Sequence, residues 1–332
     1  MSGSSNWSAR LAAFKNPDSR KSVWQLTSTG LLFAAACVLM YLSLGWGYWL
    51  TLLLAVPTAF LLVRLFIFQH DCGHGAFFRS ARAADIVGSI LGVITLTPYH
   101  YWKKVHAIHH ATSGNLEHRG FGDIDTLTVD EYLARSRWGR FKYRVYRHPA
   151  VLFGVGAVLQ FFIRHRMPTM VPREWIRERR SVIWTDVGLA VVIVLMGVSI
   201  GFGRFALVYL PLMTVSASVG VWLFYVQHQF EPTYWEHDER WAYNDAALAG
   251  SSYYRLPRLL QWATGNIGLH HVHHLNPRIP NYRLQEALGS VPELQQVTTL
   301  TLWESLRCVR LALWDERARR LVHFPKGTRQ PG

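Results

Sequence analysis

Cysteine is scarce in this sequence. Its three residues, Cys37, Cys72 and Cys308, stand far apart and form no CxxC pair, so neither a disulfide framework nor a thiolate metal site is indicated. Acidic residues are also few, 21 against 35 Lys and Arg, for a formal net charge of +14. No GxGxxG turn, Walker-type loop or GxSxG elbow is present, which leaves nucleotide binding and serine hydrolysis without support. Internal repeats, heptads and low-complexity tracts are missing as well. The polar, basic stretch over residues 1–21 lacks the short apolar core and small-residue cleavage site of a signal peptide. Membrane insertion is therefore expected to rest on internal spans.

Hydrophobic residues are plentiful. They make up 50% of the chain, with 14 Trp, 14 Tyr and 17 Phe, and amphipathic rings are favoured where hydrocarbon meets headgroups. Residues 24–44 and 46–68 form two apolar runs separated only around Gly45; residues 181–200 and 205–226 form a second pair joined by Gly201-Phe202-Gly203-Arg204. Each run is long enough to cross roughly 30 Å of hydrocarbon as a helix. The pattern predicts an all-α integral membrane protein with four transmembrane helices in two hairpins and a helical cap on one side. Its segments are an N-terminal stretch 1–23, hairpins 24–68 and 181–226, and cap segments 69–180 and 227–332.

The middle segment carries Arg135, Arg137, Arg140, Lys142, Arg144 and Arg147, whereas the tight turns offer almost only Arg204. By the positive-inside tendency the cap and both termini are expected to be cytoplasmic. Because the basic residues flank apolar spans, anionic lipid headgroups and acidic protein partners are the expected counterparts, and nucleic acid is not. Two shorter apolar stretches, 84–96 and 151–163, read as re-entrant or interfacial. The polar tail after Leu275 is expected to hold an amphipathic helix over 300–322.

Histidine is the residue that points to chemistry. Most of the 16 lie in three clusters just outside the spans: His70-Asp71-Cys72-Gly73-His74, His106-Ala107-Ile108-His109-His110 and His270-His271-Val272-His273-His274. Spacings of three and four place imidazoles on one helical face. A single HxxxH is usually structural, but three clusters on one side of a four-span topology call for a shared purpose. His228, just beyond the fourth span, stands at the height of His70. His70, His74, His106, His109, His110, His228, His270, His273 and His274 thus offer nine nitrogens, too many for one ion and suited to two. In the third cluster His271 remains an alternative to His270, whose spacing repeats that of the second. Asn266 is a candidate for holding a metal-bound water, and Asp71, Asp123, Asp125 and Glu231 for orienting ligand rings. Imidazole suits iron, copper, zinc and nickel alike, so the ligands alone do not name the metal.

The HxxxH, HxxHH and HxxHH boxes, spread over two hydrophobic hairpins, resemble the membrane fatty-acid desaturase family across about residues 24–284. The phrases around His70 to Phe78 and His273 to Tyr282 are similar to bacterial and plastid members of the omega-6 acyl-lipid branch. The resemblance implies two non-haem iron ions, dioxygen as co-substrate, and an acyl-lipid or acyl-carrier substrate in a bacterial inner membrane. It also implies an external electron donor, a ferredoxin or b-type cytochrome, since no flavin, haem or iron–sulfur motif is present and His148-Pro149 lacks the glycines of fused cytochrome domains.

Neighbouring outcomes at such a centre are acyl hydroxylation, epoxidation, triple-bond formation or carotenoid oxidation. A histidine-rich metal transporter would place ligands within the spans near the bilayer midplane, and a basic scaffold without catalysis would leave the nine histidines unexplained.

Overall fold

The computed structural model describes residues 9–120 and 122–325. Residues 1–8 of the predicted polar N-terminal segment and 326–332 of the C-terminal segment lie outside the described residues.

No charged residue interrupts the sequence between Lys21 and Arg64, and this stretch folds as two antiparallel helices, α1 (Ser19–Ser43) and α2 (Tyr48–Gly73). Asp18 starts α1 by accepting the amides of Arg20 and Lys21, satisfying two donors that a helix N-terminus leaves open. Past the turn, the Ser43 and Thr51 hydroxyls meet at 2.7 Å, so these polar atoms are paired within the hairpin.

Next comes α3 (Ala81–Ile94), which bends by 102° into α4 (Tyr99–Thr112). Gly88 makes this elbow possible, since a Cβ there would lie 2.3 Å from the Tyr99 ring. The basic helix α5 (Arg137–Arg147) turns by 64° into a π-helical stretch (Ala150–Val155) and α6 (Gly156–Phe162). Each of the two shorter apolar stretches thus adjoins an elbow, the first at its end and the second at its start.

The second long pair is α7 (Ile176–Ile200) and α8 (Phe202–His228), turning at Gly201. These two helices and α1 and α2 are long and apolar enough to span a membrane. At 25 to 27 residues each, they reach about 38–40 Å, beyond the roughly 30 Å of hydrocarbon. The excess explains why the helices overrun the predicted spans: α2 continues through His70 and α8 through His228. Central α2 packs against α1, α3 and α8, with Ala55, Ala59, Leu62 and Phe68 buried. Leu31, Leu39, Val194, Leu195 and Val198 stay exposed on the outer faces, a surface suited to lipid rather than water.

At the end of the bundle opposite the tight turns, the remaining described residues form a cap. The start of α1 meets it where Ser22 Oγ donates to the Phe77 carbonyl at 2.6 Å. The cap holds the short helix α9 (His270–Leu275) and two small sheets. One pairs β1 (Leu127–Thr128) in parallel with β4 (Leu313–Asp315), which is antiparallel to β5 (Arg320–Val322); the other pairs β2 (Tyr253–Arg255) in parallel with β3 (Thr299–Thr301).

The tail therefore departs from the helix expected over 300–322. Thr301 and Glu304 form a capping box, but the helix they start ends at Cys308. Beyond it, Asp315 accepts the amides of Arg317 and Ala318, turning the chain into the β4–β5 hairpin.

Candidate metal centre

Three helix ends and one elbow deliver the histidines to one place. His70 and His228 occupy the last turns of α2 and α8. His106, His109 and His110 line α4, and His270, His273 and His274 line α9. His74 caps the end of α2. Spacing of four brings His106 and His110 Nε2 to 3.1 Å and His270 and His274 Nε2 to 3.1 Å, as one helical face requires.

The nine nitrogens divide into two groups. His70, His74, His106, His110 and His273 form one; His109, His228, His270 and His274 form the other; within each, the candidate ligand atoms lie within 4.8 Å of one another. The groups touch where the His110 and His274 rings stack at 4.1 Å. His271 is buried but faces away, near the Tyr253 ring at 6.0 Å, and belongs to neither group.

The hydrogen bonds on the far side of the rings reveal what the inward nitrogens are. His109 Nδ1 meets an Asp123 carboxylate oxygen, and His228 Nδ1 donates to the Gly250 carbonyl at 3.0 Å. Both partners only accept, so in the neutral rings the protons belong on Nδ1 and both Nε2 atoms carry bare lone pairs. Those two Nε2 atoms face each other at 3.2 Å. His70 repeats the pattern, with Nδ1 donating to Asp71 Oδ1 at 3.1 Å and Nε2 buried without a partner. Lone pairs aimed at one another repel unless a cation lies between them. Burial holds His74, His270, His273 and His274 well below the usual imidazole pKa, so neutral, ligating imidazoles are favoured over imidazolium. The donor set fits metal cations: nitrogen ligands, neutral, convergent and oriented from behind.

The family model described as fatty acid desaturase matches residues 44–303. The chain belongs to this family. A fatty acid desaturase of Bacillus subtilis (strain 168) is 45% identical over 315 residues, covering 95% of this chain and 89% of that protein. An sn-1 oleoyl-lipid 12-desaturase of Anabaena variabilis is 26% identical over 294 residues, covering 82% and 77%. A chloroplastic sn-2 acyl-lipid omega-3 desaturase (ferredoxin) of Arabidopsis thaliana is 27% identical over 292 residues, covering 82% and 61%. The protein is accordingly an oxidoreductase of the desaturase type.

The structure places the remaining candidate residues as follows. Asn266 lies in the turn before α9. It takes a left-handed φ of 58°, and its side-chain amide donates to the Asn281 carbonyl at 2.9 Å. Glu231 accepts the Leu321 amide, and Asp125 is exposed; neither bonds to a histidine among the described residues. Arg147 does not belong to a basic outer face. It is buried and donates to the carbonyls of Asp125 and Leu311 and to Gln229 Oε1, bracing the end of α8 beside His228.

Other residues packed against the histidines were not anticipated. Trp102 stacks on His106 with centroids 4.4 Å apart, and Phe224 covers His109 and His228 at 5.0 and 5.3 Å. Both stand four residues before a histidine, a helical spacing readable in retrospect. A cavity of about 290 Å³ is lined by Phe60, Phe153, Val219, Trp222, Tyr254 and Thr264 among others.

Proposed function

We propose that the nine histidines hold two iron ions, with which the desaturase introduces a double bond into an acyl chain carried by a membrane lipid. Dioxygen is the co-substrate, and two electrons come from a separate donor. The observation that carries this reading is the facing pair of bare nitrogens on His109 and His228, repeated at His70. The desaturase family supports iron, and the acyl-lipid relatives support a glycerolipid over a soluble carrier.

Iron with dioxygen supplies an oxidant strong enough for an unactivated C–H bond, which redox-inert zinc does not. The chain's own residues do the rest. Asp71, Asp123 and the Gly250 carbonyl keep ring protons on Nδ1 and so fix the direction of each Nε2. Trp102 and Phe224 pack against the ligand rings and limit the entry of water. The apolar cavity receives the acyl chain: Trp222 precedes His228 by six residues, about 9 Å along α8. Chain depth in that cavity then selects which methylene pair stands beside the histidines.

In this reading segments 69–180 and 227–332 form a cytoplasmic cap on a bacterial inner membrane, by the positive-inside tendency. Arg135, Arg137, Lys142 and Arg144 are exposed there and face an acidic donor such as a ferredoxin or small b-type cytochrome.

Expression in a bacterium lacking polyunsaturates, followed by mass spectrometry of its lipids, tests the reading. New double bonds are expected from the wild type. His109→Ala and His273→Ala should lose both iron and product. Full activity in either variant would remove the site assignment, and metal flux without oxygen consumption would favour a transporter.

A further inference from the structure

The segment after the third histidine box reaches back to the first. Ile279 is fully buried in an apolar cluster with Leu269 and Val272, which anchors the strap. Pro280 is extended, with φ −66° and ψ 150°, and delivers Asn281 against the end of α2. There the backbone amide of Asn281 donates to Asp71 Oδ2 at 2.8 Å, and its Nδ2 donates to the same oxygen at 2.9 Å. The other carboxylate oxygen, Oδ1, is the one that accepts from His70 Nδ1 at 3.1 Å. Asn281 also accepts from Asn266 Nδ2 through its carbonyl, so the turn leading into α9 is tied to the same point. Gly265 in that turn lies so close to α2 that a Cβ would stand 2.7 Å from Ile67 Cγ2, and its φ is 56°.

Asp71 is 2% exposed, and among the described residues no Lys or Arg lies within ion-pair distance of it. A buried carboxylate without a cation needs hydrogen-bond donors. Asn281 supplies two, both on Oδ2, and they leave Oδ1 directed at His70.

We propose that Asn281 is a positioning residue of the metal centre: through Asp71 it keeps the His70 proton on Nδ1 and aims the unpartnered Nε2 into the five-histidine group. The inference rests on the iron reading given above. It also gives that group a reason to form as a unit, because the strap following His273 orients His70, whose ring lies 4.4 Å from that of His273.

The test uses the full chain in lipid nanodiscs loaded with ⁵⁷Fe. Asn281→Ala removes the side-chain donor and keeps the backbone one. Asn281→Asp is isosteric but turns an acceptor toward Asp71. Tyr282→Phe perturbs the same strap at its bond to the Asp18 amide without reaching Asp71. Iron release to a ferrous chelator should be about 10–100-fold easier in Asn281→Ala, larger still in Asn281→Asp, and unchanged in Tyr282→Phe. One of the two Mössbauer signals should change while the other keeps its wild-type parameters. Wild-type retention and spectrum in Asn281→Ala would overturn the proposal. So would a lowered thermal transition with both iron signals weakened alike, which is what a merely structural strap would give. Should Asn281→Asp fail to accumulate, Asn281→Ala alone decides. A wild-type protein that binds no iron would refute the metal reading itself, before any variant is compared.

Discussion

Replacing Asp123 by Asn isolates the orientation of one proposed ligand, His109. The Asp123 side chain is only 11% exposed and meets His109 Nδ1, so the bond is charge-assisted and weakly screened. Such a bond contributes about 1.5–3 kcal/mol, against roughly 0.5–1.5 kcal/mol for a neutral one. The amide in Asp123→Asn can also turn its NH₂ toward Nδ1, which would move the ring proton to Nε2, the atom 3.2 Å from His228 Nε2. A loss of about 1.4–2.8 kcal/mol corresponds to 10–100-fold weaker metal retention. Iron remaining after equilibration with a ferrous chelator measures it directly, and acyl desaturation in cells should fall in parallel. Asp125→Asn, two residues away on an exposed carboxylate without a histidine partner, should behave as wild type. The reasoning fails if Asp123→Asn retains iron like the wild type, or if Asp125→Asn loses as much.

Three further outcomes follow from other parts of the molecule. Val219→Trp, which fills the cavity that Val219 lines, should shift products toward shorter acyl chains or positions nearer the chain's end, read by gas chromatography of cellular lipids; an unchanged profile would place the acyl chain elsewhere. Donor-supported turnover should fall as salt rises, because at about 0.1 M the screening length is already near 10 Å, and Arg137→Ala with Lys142→Ala should lower it while leaving iron content intact; salt-independent turnover counts against electrostatic docking. The surface imidazole of His237 bridges Glu117 and Glu316, which raise its pKa above the ordinary value of 6.5. Its contribution to stability is therefore fully present below the unfolded pKa and lost as pH rises through the raised one, so His237→Gln should flatten the pH dependence of the thermal transition over that window; an unaltered slope would dismiss the bridge.

The spans were legible because the charge-free sequence from Lys21 to Arg64 and the runs before His228 leave a helix in lipid as the natural state. The histidine boxes were legible because their spacing is local and helical. His228 could be placed by its height alone, and His270 is set apart from His271 by the face of α9 it occupies. What could not be read depends on distant partners. Asp71 and Asn281 stand 210 residues apart, and Asn266 and Glu231 bond to remote backbone groups rather than to histidines. The tail read as a helix because its apolar residues fit that period. Its strands are a local hairpin, β4 with β5, whose other edge takes Leu127 from far earlier in the chain, and β3, which pairs with Tyr253–Arg255.

If the histidines on α2, α4, α8 and α9 hold iron as proposed, their places in the chain, with Asn281 beyond them, impose an order on biogenesis. Synthesis from the N-terminus places all four spans ahead of the last five site residues, His270, His273, His274 and, behind them, the Pro280–Asn281 strap. The half-sites made first, on α2 and α4, wait incomplete while the second hairpin is inserted. Iron delivered at that stage would find a partial set of imidazoles open to other metals, so on the proposed reading faithful loading would wait for the finished chain.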